Sequence, residues 1–234
     1  MFENIDIEIR NDIKNNIDEI KKTTESKATL LLATKCVDAE RINYAISCGI
    51  THIGENRVNE LLEKYDKINR DKVQLHFIGH LQRNKVKYII DKVDMIQSVD
   101  SIRLAEAIEA ECEKRNIFMP ILAEINIGYE DSKSGILPEE TEDFLIKLSK
   151  FPHLKVKGLM SIPPASEDKR IIIENFKKIY KIYLDIKAKM LDNISMDILS
   201  IGMSNDYKEA VECGSTMVRV GSLVFGQRNY NVNK

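Results

Sequence analysis

The sequence predicts an α/β fold, a single (β/α)8 barrel with an extra N-terminal helix. Three observations point there. Short apolar runs alternate with amphipathic, charged stretches along the chain. Eight of those runs read as strands, with helical patterns between them. The length, 234 residues, suits a fold that often runs to about 250 residues as one domain. Residues 1–234 are therefore expected to form one unit, with a doubly wound sheet as the alternative.

Taken in order, residues 3–22 read as the extra helix. Strands follow at 29–34 (TLLLAT), 51–54 (THIG), 74–78 (QLHFI) and 95–99 (MIQSV). Over 101–113, Ile102, Ala105, Ile108 and Cys112 recur at steps of three and four. That spacing makes one apolar helical stripe, which Asp100 or Ser101 can cap. Further strands lie at 119–126 (MPILAEIN), 156–161 (VKGLMS) and 197–201 (DILSI), with Pro120 near one start. A helix over 204–213 turns Tyr207, Ala210 and Val211 to one side, with Ser204 as its N-cap and Gly214 as its stop. The last strand is 217–220 (MVRV).

Composition excludes several classes. Lys plus Arg is 35 and Asp plus Glu is 37, a formal charge of −2, so no basic excess points to nucleic acid. The lysine-rich stretch 175–190 reads as a solvated face, because acids and apolar residues interrupt it. At 43% hydrophobic, the chain can build a core without staples. The four cysteines, Cys36, Cys48, Cys112 and Cys213, form no C-x-x-C pair, which suggests reduced thiols in a cytoplasmic protein. No apolar run approaches the roughly 18 residues of a membrane span. The acid-rich start, MFENIDIEIR, matches neither a signal peptide nor a mitochondrial presequence.

In either α/β fold the chemistry lies at the carboxyl ends of the strands. Lys35 ends the first strand on the face of Leu31 and Ala33. It is either a solvated lysine at a turn or an amine poised in the mouth to attack a carbonyl. Gly202-Met203-Ser204 follows the seventh strand and Gly221-Ser222 the eighth. Barrels often hold phosphate in these two loops, where free N–H groups and serine hydroxyls collect; two ordinary capped turns would read the same. Arg219, inside the last strand, either pairs with a carboxylate, the slightly favoured reading, or meets a ligand. Asn56 either caps the next helix or bonds a ligand. Asp131, Lys133 and Gly135 read as a solvated turn. His76 and His80 straddle Gly79 between strand and loop, a poor metal pair, so no metal is expected. Cys36 reads as a small buried thiol.

These residues sit in segments that together resemble the pyridoxal phosphate homeostasis protein family. The matching stretches are LLLATK at 30–35, HIGENRVNELLEK at 52–64 and HFIGHLQRNKVK at 76–87. They continue with INIGYEDSKSG at 125–135, GLMSIPP at 158–164 and LSIGMSNDYKEAVECGSTMVRVGSLVFGQRNY at 199–230. The family often has serine where Thr34 stands and glutamine where Asn59 stands. The resemblance implies a barrel similar to the N-terminal domain of alanine racemase. It implies pyridoxal 5'-phosphate (PLP) held as a Schiff base on Lys35. Ser204, Gly221 and Ser222 would hold the phosphate, Arg219 would face the pyridine nitrogen, and Asn56 would lie beside the ring. Met160 and His76 are expected as wall residues.

An arginine at the pyridine nitrogen donates rather than accepts, so the ring stays a weak electron sink. The eighth strand ends near Val220, and no further domain is expected to supply a second base. The expectation is thus a monomeric cytoplasmic PLP carrier with little or no turnover, possible recipients being PLP-requiring apoenzymes. The alternatives are a minimal PLP-dependent racemase and, outside PLP chemistry, a sugar-phosphate aldolase using Lys35.

Overall fold

The computed structural model describes residues 2, 4–130 and 133–226. After α1 (Ile7–Thr24) come β1 (Thr29–Ala33), α2 (Ala39–Ser47), β2 (His52–Glu55) and α3 (Val58–Lys64). Then follow β3 (Gln74–Phe77), α4 (Val86–Ile89), β4 (Met95–Val99) and α5 (Ile102–Arg115). The second half carries β5 (Met119–Ile125), α6 (Thr141–Leu148), β6 (Leu154–Ser161) and α7 (Lys169–Lys189). It ends with β7 (Ile194–Met203), α8 (Tyr207–Glu212), β8 (Met217–Val220) and α9 (Ser222–Phe225). All neighbouring strands are parallel, and β8 returns to β1 to close the barrel, with Leu31 opposite Arg219.

The extra helix α1 is fixed at its start by Asp6, which accepts from the Glu8 N–H at 2.7 Å. Its buried stripe of Ile13, Ile17, Ile20 and Thr24 repeats at helical spacing, and the helix packs against α2, α8 and α9. In α5, Ser101 is the cap, accepting from Leu104 N, and Ala105, Ile108 and Cys112 are buried. Two strands outrun their expected bounds. β6 begins at Leu154, because Leu154 and Val156 are buried in the apolar core while Lys155 and Lys157, alternating with them, stay half-exposed. β7 extends to Met203. The register slips between β6 and β7 beside Gly158, where a Cβ would lie 1.8 Å from the Ile198 carbonyl oxygen.

The ring between strands and helices holds most of the apolar core, including Leu32, Ile53, Leu75 and Ile96. Each such side chain contributes about 1.5–3 kcal/mol by leaving water. The barrel lumen is different. It contains two small apolar clusters, Leu31–Ile78–Met217 and Met95–Leu122–Met160. It also contains buried His76, Gln97, Ser200 and Arg219. Among the described residues, no helix is long and apolar enough to cross a membrane.

Candidate functional site

A cavity of about 630 Å³ opens at the carboxyl ends of the strands. Lys35, Asn56, Ser204, Arg219, Gly221 and Ser222 all line it. The structure thus brings together every residue that the resemblance assigned to the cofactor except Met160 and His76. Met160 lies in the lumen with Met95 and Leu122, a layer below the mouth, because the strand register places it opposite Glu124 and Ser200. His76 is also in the lumen, bonded to Gln97 at 2.8 Å. Burial first, then the neighbouring His52, takes its imidazole down to about 3, so it is neutral.

Lys35 sits two residues beyond β1, half-buried, continuing the inward alternation of Leu31 and Ala33. The turn that carries it is clamped from behind. Thr34 N–H donates to Gly54 O at 2.9 Å, and the Thr34 hydroxyl donates to Glu55 at 2.6 Å. Lys64 Nζ donates to Thr34 O and to Glu55, each at 2.9 Å. On the other side of Lys35, Cys36 N–H donates to Glu60 at 2.7 Å. Cys36 itself is exposed, not the buried thiol expected from alternation, because the turn puts it at φ 58° and ends the strand pattern.

Asn56 follows β2. It does not cap α3, whose N-cap position is Arg57 without a side-chain bond. Its Oδ1 is buried and has no hydrogen-bond partner among the described residues. Backbone contact holds the residue in place, since a Cβ on Gly79 would lie 2.1 Å from the Asn56 carbonyl oxygen. An uncompensated oxygen at a cavity wall is an acceptor awaiting a ligand donor.

Ser204 is not the cap of α8, which begins at Tyr207 after Asp206. Its hydroxyl oxygen instead accepts from Gly221 N at 3.2 Å and Leu223 N at 3.4 Å. Backbone donors from the start of α9 therefore converge on one point at the cavity edge, where an anion's oxygen can replace the hydroxyl as acceptor. Asp206 accepts from Met203 N at 2.5 Å, and burial raises its carboxyl against that bond and the charge of Arg219.

Arg219 makes no ion pair with a described carboxylate, contrary to the slightly favoured reading of the sequence. Nη1 donates to Ser200 O and Ser200 Oγ, each at 2.7 Å, and Nη2 to Ser161 O at 3.1 Å. Burial lowers the guanidinium to about 10, opposed by the charges of Glu124 and Asp206, so it stays cationic.

Three side chains, Glu124, Gln97 and Ser200, escaped the sequence reading, and Lys133 was read only as part of a solvated turn. Glu124 lies on the inward face of β5, two residues beyond Leu122. Burial pushes it up to about 7; the charge of Asp100 adds to this and Arg219 opposes it. Lys133 lines the cavity rather than a solvated turn, donating to Pro163 O at 3.1 Å and pairing with Glu130. Gln97 and Ser200 fill lumen positions with amide and hydroxyl. A polar side chain at an inward position of an otherwise apolar strand is the signal that would have found Glu124, Gln97 and Ser200. Asp131 lies outside the described residues.

A closed parallel barrel presenting an amine, a guanidinium and converging N–H donors in one mouth defines the class shared with the alanine racemase N-terminal domain. The model of that family matches residues 10–229. A pyridoxal phosphate homeostasis protein of Aquifex aeolicus is 40% identical over 206 residues, 88% of this chain and 90% of that protein. Another, from Pasteurella multocida, is 35% identical and covers 96% of both chains. Among solved structures, PipY of Synechococcus elongatus with PLP bound has a TM-score of 0.83 at 26% identity. That match covers 92% of this chain and 100% of PipY. The chain belongs to the pyridoxal phosphate homeostasis protein family.

Proposed function

We propose that this protein binds PLP in the mouth cavity through Lys35 and serves cellular PLP homeostasis by storing, buffering or delivering it. The observation that carries the reading is the cavity itself. One space of about 630 Å³ is lined by Lys35, by the donors around Ser204, Gly221 and Ser222, and by a buried cation with no carboxylate partner among the described residues. The unpartnered Asn56 Oδ1 opens a further place for a ligand donor.

Each residue then has a task. Lys35 supplies the amine that captures the aldehyde reversibly. The N–H groups of Gly221 and Ser222, with the Ser204 hydroxyl, take the phosphate. Asn56 lies beside the ring. Arg219 faces the ring nitrogen, to which it can only donate. Met160 supports the floor from below. When bound, PLP supplies an electron sink, which works best with its ring nitrogen protonated. A guanidinium at that nitrogen opposes protonation, which favours holding the cofactor over turning over amino acids. A cytoplasmic monomer handing PLP to apoenzymes is the working picture.

The test is the visible spectrum of the purified protein with added PLP, before and after borohydride, beside Lys35→Ala. A yellow band removed by borohydride and missing from Lys35→Ala is expected. A protein that stays colourless with PLP would overturn the reading.

A further inference from the structure

The lumen beneath the mouth holds a continuous chain of hydrogen bonds, unlike the branched apolar layers that usually fill barrels. Arg219 Nη1 donates to Ser200 Oγ at 2.7 Å, and Ser200 Oγ donates to Gln97 Oε1 at 2.7 Å. Gln97 Nε2 lies 2.8 Å from His76 Nδ1 and 3.2 Å from Met217 Sδ. All four polar members are buried, Gln97 and Ser200 completely. They come from β3, β4, β7 and β8, so the chain crosses the barrel.

Its polarity is set from one end. Arginine only donates, so Ser200 must accept from it and direct its single proton elsewhere. The nearest acceptor is the Gln97 carbonyl oxygen, which fixes the flip of that amide and points its NH2 at His76. His76 Nδ1 then accepts, which requires a neutral ring protonated at Nε2. The deeply lowered imidazole agrees with that requirement. Turning Ser200 or Gln97 would leave a buried donor or acceptor of the relay unpaired, and the chain of bonds ends at His76, whose buried Nε2 has no partner among the described residues. The main-chain bonds from Arg219 to Ser200 O and Ser161 O set the plane of the guanidinium, and the relay holds its inner edge. Nε donates to none of the described residues.

We propose that Ser200 and Gln97 are positioning residues that hold the Arg219 guanidinium toward a ring-nitrogen acceptor in the mouth. The proposal rests on the PLP reading above. The relay determines how well the site distinguishes an aromatic ring with a nitrogen acceptor from one with a C–H at that place. A buried donor left facing C–H loses a charged hydrogen bond, so the wild type is expected to bind PLP at least about tenfold tighter than its 1-deaza analogue.

The experiment titrates wild type, Ser200→Ala and Gln97→Met with PLP and with 1-deaza-PLP, following the absorbance of each bound aldehyde. Gln97→Met leaves Ser200 in place and removes only its acceptor, and it carries the comparison if Ser200→Ala does not fold. The expected result is a preference that collapses to within about twofold in the variants, through weaker PLP binding, while affinity for the analogue holds. Equal weakening of both ligands would show a merely structural role and overturn the proposal, as would a preference that survives in the variants. Failure of the wild type to bind either aldehyde would overturn the PLP reading, and the proposal with it. Binding by the wild type with an unaltered preference in the variants would overturn the relay alone.

Discussion

Replacing Lys64 by methionine removes the hub of the clamp behind Lys35. Lys64 Nζ lies 2.9 Å from Glu55 and 3.5 Å from Glu60, with side-chain exposures of 12%, 0% and 12% for Lys64, Glu55 and Glu60. Breaking a buried pair from one side leaves an uncompensated charge and costs about 3–5 kcal/mol, whereas removing both partners costs much less. Lys64→Met is therefore expected to lose about 3–5 kcal/mol, and Glu55→Gln/Lys64→Met to regain most of it.

The loss carries a pH signature. Burial already raises the Glu55 carboxyl, with Lys64 and Thr34 pulling against it. Without Lys64 it rises further. A carboxyl whose folded pKa is raised makes stability fall as pH rises through that value. The deficit against wild type should thus be smaller at about pH 5 than at about pH 8. Urea unfolding of the wild type, both single variants and the double variant at the two pH values gives the full cycle. A Lys64→Met deficit within about 0.5 kcal/mol, or additive single variants, would refute the argument that these charges act as one buried unit.

Three other outcomes follow from the same geometry. Gly79→Ala drives a Cβ against the main-chain oxygen of Asn56, which cannot rotate away, so a loss of at least about 2 kcal/mol is expected in urea unfolding, together with weaker PLP capture. Asn56→Ala removes a buried unpartnered oxygen, so stability should stay within about 1 kcal/mol of wild type or rise, while PLP affinity falls about tenfold by spectral titration. His76 titrates at 6.5 unperturbed and at about 3 in the fold, so its contribution is complete above 6.5 and is lost as pH falls toward 3. Across that window His76→Gln should lose less stability than wild type, and parallel curves would show that the ring is not held neutral.

The barrel was legible because parallel strands covered on both sides read as short apolar runs, such as LLLA and ILAEI. Lys35 was legible because alternation from Leu31 and Ala33 points it inward. Ser204 was read as a helix cap because a serine before a helical pattern usually is one. Its real partners, Gly221 and Leu223, belong to another βα unit, and no local pattern could pair them. The Arg219 side chain was ambiguous for a related reason. Whether a carboxylate or a hydroxyl meets it depends on the stagger of β7 against β8, where the register shifts. Met160 was assigned to the wall because its segment matched the family, but a strand match fixes the face and not the depth.

Closure of the ring has a consequence for when the site can exist. β1, which leads into Lys35, and β8, which carries Arg219 and leads into Gly221 and Ser222, come from opposite ends of the sequence and meet only at the seam. A growing chain has its lysine early, but no cradle beside it until the last strand docks. A ligand gripped by Lys35 and by the α9 turn would therefore act as a clasp across the seam that joins the first strand to the last. Retention of the ligand becomes a gauge of barrel completion, and amide exchange along β1 and β8 should slow more on loading than exchange along β4 and β5.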